Sequence, residues 1–166
     1  GTVTAGNLSN TAIVYPAGHI VHVQNATLDG HGSTSTATAW TTTGLEITIA
    51  SATVALGSKI FVQCFAMAAL GNGSSHTLLD WKLIRTAPST SETFSPIASQ
   101  AGHDGTTPNF THVELAGSGV DESLGSGDHT YQLQFRKGNA AAAHCGTIYY
   151  NWYTGGQATI SAMVIV

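Results

Sequence analysis

Apolar residues recur along this chain at every second position or in short continuous runs, and Gly, Ser, Asn and Pro fill the gaps. That pattern predicts strands and turns rather than helices. It is clearest over Thr130–Lys137, where Tyr131, Leu133 and Phe135 alternate with Gln132, Gln134 and Arg136. One set faces a core and the other faces water, as expected of a surface strand of a sandwich. Lys59–Ala69 is different, because Phe61, Phe65 and Met67 fall on one face while Ile60, Val62, Cys64 and Ala66 fall on the other. A strand apolar on both faces must be covered twice, so it is either central or part of a subunit contact. The chain closes on the uncharged run Ala158–Val166, which raises the same question. If Ile160, Ala162 and Val164 face the interior, Met163 and Ile165 need another cover. Ile160, Met163 and Ile165 are the expected oligomer-interface residues.

Further strands are predicted at His19–Val23, Leu45–Ile49, Leu78–Ile84, Phe110–Leu115 and Thr147–Tyr153. With a stretch ending at Trp40 they bring the total to about eight or nine. Turn chemistry marks loops at Gly71–Ser74, Ala101–Pro108, Ala116–Asp128 and Tyr153–Gly156. The expected fold is all-β, an antiparallel β-sandwich of jelly-roll type. Residues 1–18 are polar and broken by Pro16, and read as a connector or anchoring segment; residues 19–166 read as the sandwich domain.

At 166 residues the chain suits a single domain. Only 8% of its residues are charged, against about 25% in ordinary soluble domains. A net charge of −4 offers no basic footprint for nucleic acid. No apolar run approaches the roughly 20 residues that cross a bilayer as a helix, so membrane insertion is not expected. Cys64 and Cys145 lie far apart outside any CxxC motif, and read as two separate buried thiols in preference to a disulfide.

Eight histidines invite a metal reading. His19 and His22, three apart on a strand, point to opposite faces and cannot chelate one ion together. One His22 from each of several copies meeting on an axis is the remaining metal option, and satisfied or solvent-facing histidines are the simpler expectation. His144 beside Cys145 lacks the geometry and the third partner of a thiol nucleophile, and no G-x-S-x-G elbow is present. Asp121, Glu122 and Asp128 share a Gly-rich loop without EF-hand spacing, and read as a solvated acidic loop ahead of a calcium site. Asn-x-Ser/Thr triplets at Asn7, Asn25, Asn72 and Asn109 arise easily in a hydroxyl-rich chain. No cofactor and no catalytic residue is expected, and the protein is read as a non-enzyme. Aromatic side chains near turns make good contact surfaces, which singles out Trp81, Tyr150 and Trp152, with His103 and Asp104 in the Ala101–Pro108 loop, as candidate receptor contacts.

Four stretches in order carry a resemblance: PAGHIVHVQNATLDG, then TATAWTTTGLEITIASATVALGSKIFVQCFAMA, then TYQLQFRK, then ATISAMVIV. Together they resemble a C-terminal β-sandwich module of bacteriophage tail fibres. In that module a Pro-Ala-Gly precedes a valine-rich strand, a Thr-rich stretch leads to Thr-Gly-Leu, and a Ser-Ser-Lys-Ile strand follows. Here Gly57–Ser58–Lys59 replaces the Ser-Ser-Lys, and the end Met163–Val166 has no acidic residue. The resemblance implies a homotrimer on the virion exterior that attaches to a host surface glycan or protein, with other virion proteins joined through the N-terminal segment. A head fibre or capsid decoration protein is the nearest alternative. A secreted binding domain and a polysaccharide hydrolase stand further off, the latter because paired carboxylates are hard to assemble from nine acidic residues.

Overall fold

The computed structural model describes residues 17–29, 34–35, 39–54, 57–70, 78–89, 98–101, 111–138, 148–150 and 157–166. Its strands are β1 (Ile20–Asp29), β2 (Thr34–Ser35), β3 (Thr41–Ile49), β4 (Lys59–Leu70), β5 (Leu78–Ala87), β6 (Ala98–Ala101), β7 (Thr111–Asp121), β8 (His129–Gly138), β9 (Ile148–Tyr150) and β10 (Gln157–Ile165). The predicted connector lies almost wholly outside these residues.

All the pairings are antiparallel and form two sheets. In the first, β10 and β9 lie along one edge of β4, with β1 and β2 outside them, and β7 takes the other edge of β4. Its principal order is therefore β1–β10–β4–β7. The second sheet runs β3–β8–β5–β6. Successive strands thus interleave between two four-position sheets in the order of a jelly roll, which confirms the expected sandwich.

Strict alternation builds the core between the sheets. Ile60, Val62, Cys64 and Ala66 of β4 and Ala158, Ile160, Ala162 and Val164 of β10 face inward. Opposite them lie Leu45, Ile47 and Ile49 of β3 with Tyr131, Leu133 and Phe135 of β8. Each full burial of an aliphatic or aromatic side chain contributes about 1.5–3 kcal/mol. The closing strand therefore sits between β1 and β4, with Ala158, Ile160, Ala162 and Val164 inside its own sandwich and Met163 and Ile165 outside it. Cys64 carries a free thiol whose pKa burial pushes up to about 11, so it behaves as a core side chain rather than a nucleophile.

A bulge adjusts β3 against β8, where the register shifts between Thr42 and Glu46. Gly44 there adopts φ 82, a conformation open to glycine and costly for other residues. The displaced segment keeps its hydrogen bonds through a side chain: buried Thr43 donates its hydroxyl to the Leu133 carbonyl at 2.8 Å and accepts from Leu45 N–H at 3.0 Å.

Several strands run longer than the sequence pattern predicts, and two differences are informative. The predicted loop Ala116–Asp128 is shorter, because β7 continues to Asp121 and pairs Ala116–Asp121 with Phe65–Ile60 of β4. Two glycines in that run suggest a loop, yet β7 meets β4 on one side and tolerates them. β6, with the sequence ASQA, carries no apolar alternation and was not foreseen.

Candidate functional site

The outer face of the β1–β10–β4–β7 sheet is the most unusual surface among the described residues. Pairing places Val23 beside Met163, Met163 beside Phe61, and Phe61 beside Val120. These four residues point away from the core and form an unbroken apolar row across all four strands. Val23 is 51% exposed and Val120 45% exposed, while Met163 and Phe61 are half-buried by their neighbours. The next row adds Ile20, 50% exposed, beside Ile165, and ends in the Lys59–Glu122 ion pair. On the other side lies a polar row of Asn25, Ser161, Gln63 and Ser118. Beyond it, Phe65 is 41% exposed beside Ala116. The small residues of β7 leave a hollow of about 420 Å³ there, lined by Gln63, Phe65, Gly117, Ser118, Thr159 and Ser161.

The opposite outer face, on β3, β8 and β5, is mostly polar, with Ile84, beside Gln132, and the Trp40 ring as its apolar members. Arg136 Nε donates to Asp80 Oδ2 at 3.0 Å. The Arg136 guanidinium and the Lys82 ammonium lie 4.4 and 4.3 Å from the centre of the Trp40 ring, a double cation–π contact. Burial and the neighbouring Arg136 charge lower the Lys82 pKa. Gln132 donates to Glu46 at 3.1 Å and accepts from Gln134 at 2.8 Å.

At one end of the sandwich the β3–β4 and β7–β8 connections meet over a buried polar group. Arg85 and Asp121 form an ion pair of 2.6 Å with both side chains almost fully enclosed. Tyr131 OH donates to the same carboxylate oxygen at 2.9 Å, Ser123 N–H donates to the other at 3.1 Å, and Arg85 Nη1 also donates to the Ser123 carbonyl at 2.9 Å. Burial raises the Tyr131 phenol pKa, and the Asp121 charge adds to the effect. His129 is also enclosed, and its ring interacts with the Gly125 backbone. Its pKa falls below the ordinary value, first through burial and then through Arg85, with Asp121 and Asp128 opposing.

This arrangement corrects the expectation of a solvated acidic loop for Asp121, while Glu122 and Asp128 are exposed as expected. Asp121 is a buried ion-pair partner, Asp128 accepts the Ser51 N–H at 2.9 Å, and Glu122 pairs with Lys59. The three carboxylates are therefore divided among separate partners. Among the described residues no three metal-ligating side chains cluster. His22 sits opposite Val164 on the inner side of β1, with Nε2 3.5 Å from Gln24 Oε1, and is not on the apolar outer face.

The predicted contact residues divide in the same way. Trp81 is not at the surface: it lies in the core on β5 beside Phe135, because alternation puts Leu79, Trp81 and Leu83 inward. Its Nε1 has no partner among the described residues. Tyr150 pairs with Ala68 at the end of β9, while His103, Asp104 and Trp152 lie outside the described residues. Of the predicted interface residues, Met163 and Ile165 face outward, but Ile160 is fully buried within its own sandwich and offers nothing to a neighbour. Phe61, Val23 and Val120 belong to the row and were not named from the sequence as interface residues. Phe61 was visible in the two-faced apolar pattern of β4, whereas Val23 and Val120 required the register.

No family model matches the chain, and no curated protein matches it. Among solved structures, a structure of infectious bursal disease virus, Gt strain, is 12% identical with a TM-score of 0.31, over 89% of this chain and 42% of that one. The T13 particle of the same virus gives 16% identity and a TM-score of 0.32, over 87% and 39%. Its VP2 subviral particle gives 14% and 0.28, over 95% and 44%. The chain thus spans under half the length of each of these chains. The fold assignment rests on strand order and register, not on this likeness.

Proposed function

We propose that this chain is a non-enzymatic virion structural protein, the β-sandwich module of a phage tail fibre. It assembles as a homotrimer through the outer face of the β1–β10–β4–β7 sheet and attaches to a host surface receptor. The apolar row Val23–Met163–Phe61–Val120 is the observation that supports this reading. A charge-free row spanning a whole sheet has no role in the fold of one copy, and water in contact with it is displaced when copies meet. Burial of each such side chain contributes up to about 1.5–3 kcal/mol. Repeated in three copies, the row is of the size needed to offset an association cost of about 4–15 kcal/mol. The hollow beside Phe65 gives a neighbour's side chain a place to enter.

Light scattering on the intact protein and on Phe61→Asp tests the assembly. The reading expects a trimer that the substitution converts to folded monomer. Electron microscopy of particles carrying a labelled copy separates a tail fibre from a head fibre or capsid decoration, and adsorption assays with the purified trimer test attachment. A trimer that binds neither host cells nor their surface polymers removes the receptor role.

A further inference from the structure

The end of the sandwich below the β3–β4 and β7–β8 connections holds a pocket of about 600 Å³, within the range of roughly 300–1,000 Å³ typical of small-ligand sites. We propose that this pocket binds a single neutral saccharide unit. The assignment rests on the reading of the chain as an attachment module and gives that reading a location.

Three features support it. The first is the floor, where Ser58 lines the pocket with its hydroxyl buried and without a partner among the described residues, next to the buried His129 imidazole. Neutral imidazole and hydroxyl each donate and accept a hydrogen bond, which matches sugar hydroxyls, groups with the same double capacity. An unpaired buried hydroxyl of this kind discriminates strongly in favour of a ligand that satisfies it.

The second is the balance of charge and apolar surface. Lys59 and Glu122 line the pocket as an ion pair and cancel one another, so the site selects neither anion nor cation. Val54 and Leu124 provide apolar contacts for the C–H faces of a pyranose ring. The third is preorganisation. The Asp128 carboxylate ties the two connections together through Ser51 N–H at 2.9 Å. Gly127 adopts φ 108, and a Cβ there would come within 3.3 Å of Pro88, so the turn is held in a form that only glycine allows.

Amide NMR spectra of the full chain, titrated with glucose, galactose, N-acetylglucosamine and, as a charged control, glucuronate, test the proposal. At least one neutral sugar is expected to shift the amides of Ser51, Ser58, Gly125 and Gly127 saturably, more strongly than glucuronate. Ser58→Ala is expected to weaken binding about fivefold, the effect of one hydrogen bond. Glu122→Gln, at an exposed position, provides a second variant that leaves the fold intact; it uncovers the Lys59 charge and is expected to strengthen the response to glucuronate relative to the neutral sugars. Oligosaccharides ending in the same sugar distinguish the tip of a surface polymer from free sugar as the source. Absence of saturable shifts at these amides in folded protein, or shifts indifferent to both variants, overturns the site. Mass measured on the same samples keeps the two ideas apart: pocket shifts in a monomer support the site while removing the fibre trimer.

Discussion

The two outer faces of the sandwich are built from the same alternating strands, yet they differ in almost every respect. On β3, β8 and β5 the outward positions are mostly Thr, Gln, Glu, Asp, Lys and Arg, joined by hydrogen bonds, an ion pair and the stack on Trp40, and the apolar Ile84 is enclosed among them. On β1, β10, β4 and β7 the outward positions near one end are Val, Met, Phe and Val in a single row. A polar face is complete when it meets water, but an apolar row of this width is complete only against another apolar surface. One part of the hydrophobic pattern in β4 and β10 builds the core, and the other part lies outside it on the sheet's outer face.

The largest effect is expected from placing a charge in the row. Phe61→Asp or Val120→Lys must desolvate an unpaired charge in the contact, and association weakens by at least about 100-fold. Sedimentation should then show the monomer, with the β-sheet circular dichroism unchanged. Retained assembly would move the contact to another surface. On the polar face, Arg136→Ala removes the pair with Asp80 and one layer of the Trp40 stack. It should cost about 1–2 kcal/mol of stability and leave the assembly state alone. Dissociation by this variant would erase the contrast between the faces.

Acidification addresses the interior that both faces share. His129 has its pKa depressed by burial and by Arg85, while Asp121 and Asp128 favour its charged form. The unfolded chain therefore binds a proton more readily than the folded one. Stability should be full above an unfolded-state pKa of about 6.5 and decline as pH falls through and below it, levelling off once the folded pKa is passed. Melting curves between neutral and mildly acidic pH should show the decline in the parent and a flatter profile in His129→Gln. Equal slopes would place the titrating group elsewhere. The smallest effect belongs to Lys59→Ala, which removes an ion pair with both partners more than half exposed; a loss below about 1 kcal/mol is expected.

Much of this was legible in the sequence, for definable reasons. Period-two alternation placed β8 and its inward set, Tyr131, Leu133 and Phe135. The two-faced patterns of Lys59–Ala69 and Ala158–Val166 marked both sides of these strands as apolar, the inner side buried and the outer side partly exposed. Trp81 was misread because one strand taken alone does not say which of its faces is inward; in β5, Asp80, Trp81 and Lys82 alternate, and only the pairing with Phe135 puts the indole inside. Asp121 was misread because a carboxylate among glycines and serines looks like a solvated loop, and its partner Arg85 lies 36 residues away on another strand. Ile160 was assigned to the contact for its composition, although its parity with Ala162 and Val164 already placed it inside. Val23 and Val120 gain their meaning from register, which no single strand carries.

The most direct measurement is the mass of the intact protein in solution by sedimentation velocity across a micromolar concentration range. The account predicts a stable species of three times the 17.1 kDa protomer mass, abolished by Phe61→Asp. A single 17.1 kDa species at every concentration would contradict it.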